Sequence, residues 1–205
     1  MVGRVLAALD DANMTDETLV IFSSDNGPVW YEHDVERFDH DSSGGLRGMK
    51  ADAWECGHRM PFIARWPGTV TAGSVDHRII CFTDLMATFA DLIGAELPEK
   101  AGPDSISFYK TLIGQTDASR PALVIQSGSG AMTVRQGSWK LITQLGSGGF
   151  SKPSRVKPGP GEPIGQLYNL KQDAGETRNL YNEEPGIVAK LSAELKRIQD
   201  SGGSR

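Results

Sequence analysis

Apolar and polar positions change rhythm several times along this chain. Val2, Val5, Leu6 and Leu9 recur at three- and four-residue spacing, which predicts a helix over about residues 2–12. Leu19-Val20-Ile21-Phe22 is a continuous apolar run that leads into Ser23-Ser24-Asp25-Asn26-Gly27. It predicts a buried parallel strand over about residues 18–23, ending in a polar loop. Residues 24–60 have little periodicity and are rich in Gly, His, Asp and Arg. A loop this long in a compact domain is usually functional or disordered. The run "MPFIARWPGTV" predicts a short strand closed by the Pro67-Gly68 turn. In "TDLMATFADLIGAELP", Leu85, Met86, Phe89, Leu92 and Ile93 form a stripe, with Thr83 or Asp84 as the cap and Gly94 as the stop; this predicts a buried helix.

Residues 95–120 are a connector with Pro98, Gly102, Pro103 and Gly114, and beyond it the texture changes. "PALVIQSG", "GAMTVRQG" and "SWKLITQL" are short β-prone runs punctuated by Gly and Ser, the pattern of an antiparallel meander. A Gly/Pro-rich loop over 146–165 leads to one more strand, "QLYNL". "EEPGIVAKLSAELKRIQDSG" closes the chain as an amphipathic helix with Ile187, Leu191, Leu195 and Ile198 inward. The expected fold class is therefore α/β, with an α/β portion over residues 1–117 and a small antiparallel α+β subdomain over residues 118–205. No internal repeat is visible.

Composition narrows the classes of function. With 39% hydrophobic and 23% charged residues, the chain can bury a core. A net charge of −5 leaves no basic footprint, so no nucleic-acid partner is expected. No apolar run approaches the roughly 20 residues of a membrane helix, so no membrane partner is expected. Cys56 and Cys81 have no metal-type spacing, and nothing argues for a disulfide. Met1-Val2-Gly3-Arg4 enters helical rhythm at once, without an N-cap or lead-in, and the sharper expectation is that Met1 is internal to a longer protein.

Asp25 and Asn26 offer a carboxylate and an amide oxygen at a strand end, where open α/β sheets bind ligands. That donor set suits a hard divalent cation. "DNG" is also ordinary turn chemistry, and the motif alone favours a turn over a metal site. The segment "GGLRGMKADAWECGHRMPFIARWPG" adds more. Together with "VIFSSDNG" it resembles the sulfatase family of the alkaline-phosphatase-like superfamily, whose members carry a strand ending in "DNG", a "GGK"-like turn and an "EGGxRVPxIxxWPG"-like run. "TDLMATFADLIG", "GSWKLI" and "GQLYNLKQDAGETRNL" continue the resemblance in consistent order. The fold it implies is the C-terminal portion of an alkaline-phosphatase-like sulfatase sheet plus a small antiparallel subdomain.

The resemblance also implies roles. Asp25 and Asn26 match ligands of a calcium ion, and Lys50 matches a lysine that contacts the sulfate. A cation and an ammonium together stabilise charge developing on a leaving oxygen. The implied substrate is a sulfate ester, either an aryl sulfate or a sulfated sugar. His33, His40 and His58 lie in the long loop and are candidate substrate contacts, although a lone loop histidine is more often simply exposed. Glu55 and Arg59, four apart, are expected to pair and shape the loop. Trp30 and Trp54 are expected to pack. Cys56 stands where the family usually has glycine.

Sulfatases use a formylglycine made from the Cys or Ser of a "C/S-x-P-S-R" motif, and further metal ligands from the same N-terminal half. Neither Cys56, in "ECGHR", nor Cys81, in "ICFTD", has the Pro and Arg that follow. The chain alone is therefore expected to be inactive, with half of a calcium site and no formylglycine. Two other functions stay open: a non-enzymatic fragment or partner subunit that self-associates or joins a missing N-terminal half, and a phosphate or phosphonate ester hydrolase of the same superfamily. Ser151-Lys152-Pro153-Ser154-Arg155 spells the motif literally, but prolines and glycines follow it and forbid the helix whose N-terminus would favour negative charge. Any p-nitrocatechol sulfate turnover this chain does show is accordingly expected to survive Ser151→Ala; its loss on this substitution would make Ser151 the nucleophile.

Overall fold

The computed structural model describes residues 1–115 and 120–205. In chain order its elements are α1 (Val2–Asp11), β1 (Val20–Ser23), α2 (Glu32–Phe38), β2 (Phe62–Arg65), α3 (Asp84–Leu92), α4 (Tyr109–Leu112), β3 (Leu123–Gln126), β4 (Met132–Gln136), β5 (Trp139–Ile142), β6 (Gln166–Asn169) and α5 (Pro185–Ser201). The α/β class and every strand and helix expected from the apolar pattern are present, and α2 is an additional short helix inside the polar segment. Contacts gather the chain into two units, each discontinuous in sequence. One comprises Met1–Ser23, Pro61–Arg120 and Arg205; the other comprises Ser24–Met60 and Pro121–Ser204. The expected boundary at 117/118 lies outside the described residues.

In the first unit β1 is not a parallel strand. It pairs antiparallel with β2, Val20 opposite Arg65 and Ser23 opposite Phe62, and Phe22 is exposed. The apolar run has one strand neighbour among the described residues, so one pairing leaves part of its surface open. The reading of α3 as a helix with a buried apolar stripe is also corrected. Met86, Phe89 and Ile93 are 50%, 43% and 73% exposed, while Asp84, Ala87 and Thr88 are the buried positions. The cause is hydrogen bonding. Asp84 accepts from the amides of Cys81 at 2.8 Å and Ile106 at 3.0 Å, and it pairs with the Arg120 guanidinium. Thr88 Oγ1 accepts from the Phe108 amide at 3.1 Å, and Ser105 Oγ accepts from the Ala87 amide at 2.8 Å. A connector with few regular hydrogen bonds of its own must satisfy its amides somewhere, and the polar side of α3 serves it.

In the second unit the meander forms a four-stranded antiparallel sheet in the order β3-β4-β5-β6. The two-residue connection Gly137-Ser138, with Gly137 at φ +58°, sets Gln136 opposite Trp139 and so fixes the register of β4 against β5. Strand alternation then sorts the two faces. Val134, Leu141 and Leu167 lie in register across the strands and pack with Leu191, Leu195 and Ile198 of α5, the expected inward residues. The opposite row, Arg135, Lys140 and Tyr168, is in register on the other face. That row carries two cations. Even so, Ala53 and Trp54 cluster there with Ala131, Ile142, Tyr168 and Leu170, and the segment 52–57 is buried throughout. The supposed long loop is thus partly a core element.

The buried stripe of α5 and the half-exposed one of α3 make a direct stability test. Leu191→Ala should cost about 2–5 kcal/mol as a buried large-to-small change. Phe89→Ser should change stability by no more than about 1 kcal/mol, because its ring is half in solvent. Urea denaturation followed by circular dichroism reads both; a large loss at Phe89 would restore the stripe to a core.

Candidate functional site

The second unit brings the "DNG" and "GMK" stretches together through their backbones. The Lys50 amide donates to the Pro28 carbonyl at 2.8 Å, and the Gly27 amide donates to the Gly57 carbonyl at 3.1 Å. Gly27 is buried, and a Cβ there would fall 1.7 Å from the Cys56 carbonyl oxygen. No side chain fits, which is the physical reason for glycine after Asp25-Asn26. Asp25 is exposed and Asn26 half-buried, and among the described residues no hydrogen bond or ion pair engages either side chain. The same holds for the ammonium of Lys50, which is half-buried. Two oxygen donors and one cation are therefore held on adjoining backbone with their charged or polar ends uncommitted.

The chemistry of this set suits a hard cation beside an anion, but two donors are few against the ~6–8 oxygens calcium takes. Among the described residues no group of three or more His, Cys, Asp or Glu side chains is placed to hold a metal. Asp25 and Asn26 fit as part of a coordination sphere.

The other candidates are placed as follows. His33 lies on α2 with its side chain 73% exposed; its ring stacks on Tyr31 with centroids 5.5 Å apart and lies 3.6 Å from Asp34. His40 is exposed, and its carbonyl accepts from Trp30 Nε1 at 2.7 Å. His58 is enclosed: its Nε2 lies 3.3 Å from the Ala53 carbonyl and 3.2 Å from Lys140 Nζ. Trp54 is buried, with its Nε1 donating to Gln166 Oε1 at 2.9 Å and Arg47 stacked 3.8 Å over its ring. Burial, with Asp41 and Asp52 nearby, pushes the Cys56 thiol up to about 11. It is protonated near neutrality and a poor nucleophile. Ser151 sits in a loop without a following helix, and its amide donates to Asp52 Oδ1 at 3.1 Å.

Glu55 has stronger partners than the one expected for it. Arg59 is 3.8 Å away and largely exposed, whereas Lys140 Nζ lies 3.0 Å and Arg135 3.2 Å from the Glu55 carboxylate. Lys140 also lies 2.8 Å from Glu176, and Glu176 Oε2 accepts from the Glu55 amide at 2.6 Å. Glu55, Lys140 and Glu176 are essentially inaccessible. Burial opposes the charge on Glu55, but the cations of Lys140 and Arg135 outweigh it and hold its carboxyl below the usual range. Burial dominates at Glu176 and raises it, with Lys140 opposing. Burial and then the Lys140 charge push His58 down to about 4. Sequence reading missed Lys140 and Glu176. One signal was available: Lys140 and Ile142 share a strand face, and an apolar residue two positions on marks that face as covered.

Comparison with known proteins agrees over most of the chain. A family model described as Sulfatase matches residues 1–95. An N-acetylgalactosamine-6-O-sulfatase of Bacteroides thetaiotaomicron is 33% identical across 97% of this chain and 39% of its own length. Human arylsulfatase A is 32% identical across 97% of this chain and 40% of its own length. Among solved structures, a B. thetaiotaomicron 6S-sulfatase from work on the metabolism of multiple glycosaminoglycans superposes with a TM-score of 0.84 at 32% identity, over 97% of this chain and 42% of that one. A sulfatase of Pseudoalteromonas sp. superposes at 0.74 with 25% identity. The chain spans about 40% of the length of the curated relatives it matches.

The enclosed histidine makes acid stability specific. His58 goes from an ordinary value near 6.5 to about 4 on folding, with Glu55, Lys140 and Arg135 facing it. Above pH 6.5 neither state is charged. Between pH 6.5 and 4 the unfolded chain takes a proton that the folded chain refuses, so stability falls by up to about 3 kcal/mol. Urea midpoints should fall less with acid in His58→Gln than in the wild type; parallel pH profiles would show that the ring is not enclosed.

Proposed function

The chain belongs to the sulfatase family, matching its C-terminal part, and from that membership we propose that it carries one half of the substrate and metal site of a sulfuric ester hydrolase. The observation that carries this reading is the Lys50-to-Pro28 backbone bond, which joins the uncommitted Asp25 and Asn26 to the uncommitted Lys50. Asp25 and Asn26 would hold calcium, which when bound supplies positive charge next to the ester. The Lys50 ammonium binds and orients the sulfate and stabilises negative charge on the departing oxygen. Gly27, lacking a side chain, lets the Asp25-Asn26 stretch close on the Cys56-Gly57 turn. His33 and His40, both exposed, remain available to a substrate, whereas His58 serves the buried ion cluster and is left out of the site. The substrate class is a sulfate ester of an aryl alcohol or a sugar; named relatives of both kinds match the chain equally far along its length.

The attacking group of such an enzyme has no counterpart in these 205 residues, so this chain turns over little or nothing by itself. A second reading rests on a separate observation. In the first unit no residue of α1 is buried, and Phe22, Ile63, Met86, Phe89 and Ile93 are exposed apolar side chains. Such surface favours association, either of two copies or with a segment supplied by another chain. No helix is long and apolar enough to cross a membrane among the described residues.

Calcium titration of the chain should give weak binding, with Kd on the order of 10⁻⁴–10⁻³ M or weaker, abolished in Asp25→Ala. Tight stoichiometric binding would show a complete site and overturn the half-site. In the same preparation p-nitrocatechol sulfate and p-nitrophenyl phosphate should both stay uncleaved. Turnover of the phosphate alone would move the chain to phosphate chemistry, and turnover of the sulfate by a monomer would make the chain an enzyme in its own right.

A further inference from the structure

The literal "SKPSR" string and the serine–glycine loops beside it find a use in the second unit. Residues Met49 to Asp52 form a tight turn with Lys50 and Ala51 at its centre, closed by the Asp52 amide donating to the Met49 carbonyl at 3.0 Å. Ala51 stands at φ +72°, the value the third position of a type II turn takes, where glycine is the ordinary choice. A left-handed alanine persists only where its surroundings over-determine it. Four hydrogen bonds do so. The buried Asp52 carboxylate accepts from the Met49 amide at 2.8 Å through Oδ2 and from the Ser151 amide at 3.1 Å through Oδ1. The Ala51 carbonyl accepts from the Gly128 amide at 2.8 Å, and the Ala53 amide donates to the Ser147 carbonyl at 2.7 Å. At Gly149 a Cβ would lie 2.3 Å from the Ala51 carbonyl carbon and oxygen, so the loop closes directly on the turn.

Every one of these bonds lands on a residue next to Lys50 or within three of it, and none engages its ammonium. We propose that Asp52, clamped by the 147–151 loop, is the positioning residue for Lys50: it holds the turn that presents the ammonium to the sulfate. The proposal rests on the assignment of Lys50 to sulfate binding. In this arrangement Ser151 contributes its backbone amide, and its hydroxyl has no chemical part. A long lysine on an unsupported loop would lose side-chain and backbone freedom on meeting an anion; a pre-set turn removes the backbone share of that loss.

Two measurements on the same chain separate the clamp from the sulfate assignment: amide hydrogen exchange by NMR, and titration with sodium sulfate followed by chemical shifts. The proteins are wild type, Asp52→Ala, Asp52→Asn and Lys50→Met. In Asp52→Ala, exchange at Met49 and Ser151 should speed up about 10-fold or more, as expected for losing hydrogen bonds to a charged group, while Val134 and Leu141 in the sheet stay protected. The Lys50-dependent affinity for sulfate should fall about 5-fold or more, since order lost before binding must be recovered in binding. Asp52→Asn, which keeps one acceptor oxygen, should recover part of both. Unchanged protection at Met49 and Ser151 in Asp52→Ala overturns the clamp. Lost protection with unchanged sulfate affinity overturns the positioning role and leaves a structural turn. Absence of a sulfate response in the wild type, or an equal response in Lys50→Met, overturns the assignment of Lys50 and with it the positioning role, while the exchange data still decide the clamp.

Discussion

The second unit depends on one buried arrangement, the Lys140 ammonium between the carboxylates of Glu55 and Glu176. Removing three charges from water is costly, and their attraction offsets that cost only with good geometry and further hydrogen bonds. The ion contacts are short, 3.0 Å to Glu55 and 2.8 Å to Glu176, but Glu176 Oε1 makes no hydrogen bond of regular geometry, so the other bonds carry more of the offset. Arg135 adds a second cation to Glu55, and Glu176 accepts from the Glu55 backbone amide. Removing one partner from such a cluster typically costs about 3–5 kcal/mol, because a charge is left buried and unpaired. The cluster ties three distant parts of the sequence together: the segment before residue 60, strand β5 and the turn after β6.

The consequence for the site follows from the order of connections. Glu55 opens the short 3₁₀ turn Glu55–Gly57, and the carbonyls of that turn receive the Gly27 amide and exclude any side chain at position 27. Lys50 in turn bonds Pro28. A fully buried ion cluster thus anchors a rigid backbone frame, and the uncommitted groups Asp25, Asn26 and Lys50 stand on that frame near its surface. The division of labour is physical. Buried charges with satisfied partners resist reorganisation, while half-exposed charges without partners stay available to a ligand. Two lysines of one chain illustrate it: the Lys140 ammonium is paired inside the protein, and the Lys50 ammonium has no hydrogen bond or ion pair among the described residues.

The first unit runs on a different rule. Its best-organised interior is polar, built from Asp84, Thr88, Ser105 and Arg120, while Met86 and Phe89 on α3 and Phe22 on β1 are exposed. The hydrophobic effect is non-directional and sets no register by itself. Buried hydrogen-bonding groups must find their partners, and here that requirement decides which side of α3 turns inward.

Periodicity in the sequence determined the elements: the helices at both ends, the meander, and the inward residues Leu191, Leu195 and Ile198. Those are local properties, fixed by 3.6- and 2-residue repeats and by turn chemistry. The strings around Asp25, Asn26 and Lys50 were legible as well, through their resemblance to one family. Only the tertiary structure decided which faces are covered. The 52–57 segment buried Lys140, which no pattern had singled out; spacing paired Glu55 with Arg59, and β5 supplied a nearer cation. The apolar stripe of α3 read as core, yet Met86, Phe89 and Ile93 are exposed and Leu85 and Leu92 only partly buried. Pattern records the two sides of an element, but the partner that covers a side comes from a distant part of the chain, and its charge complementarity is not a local signal.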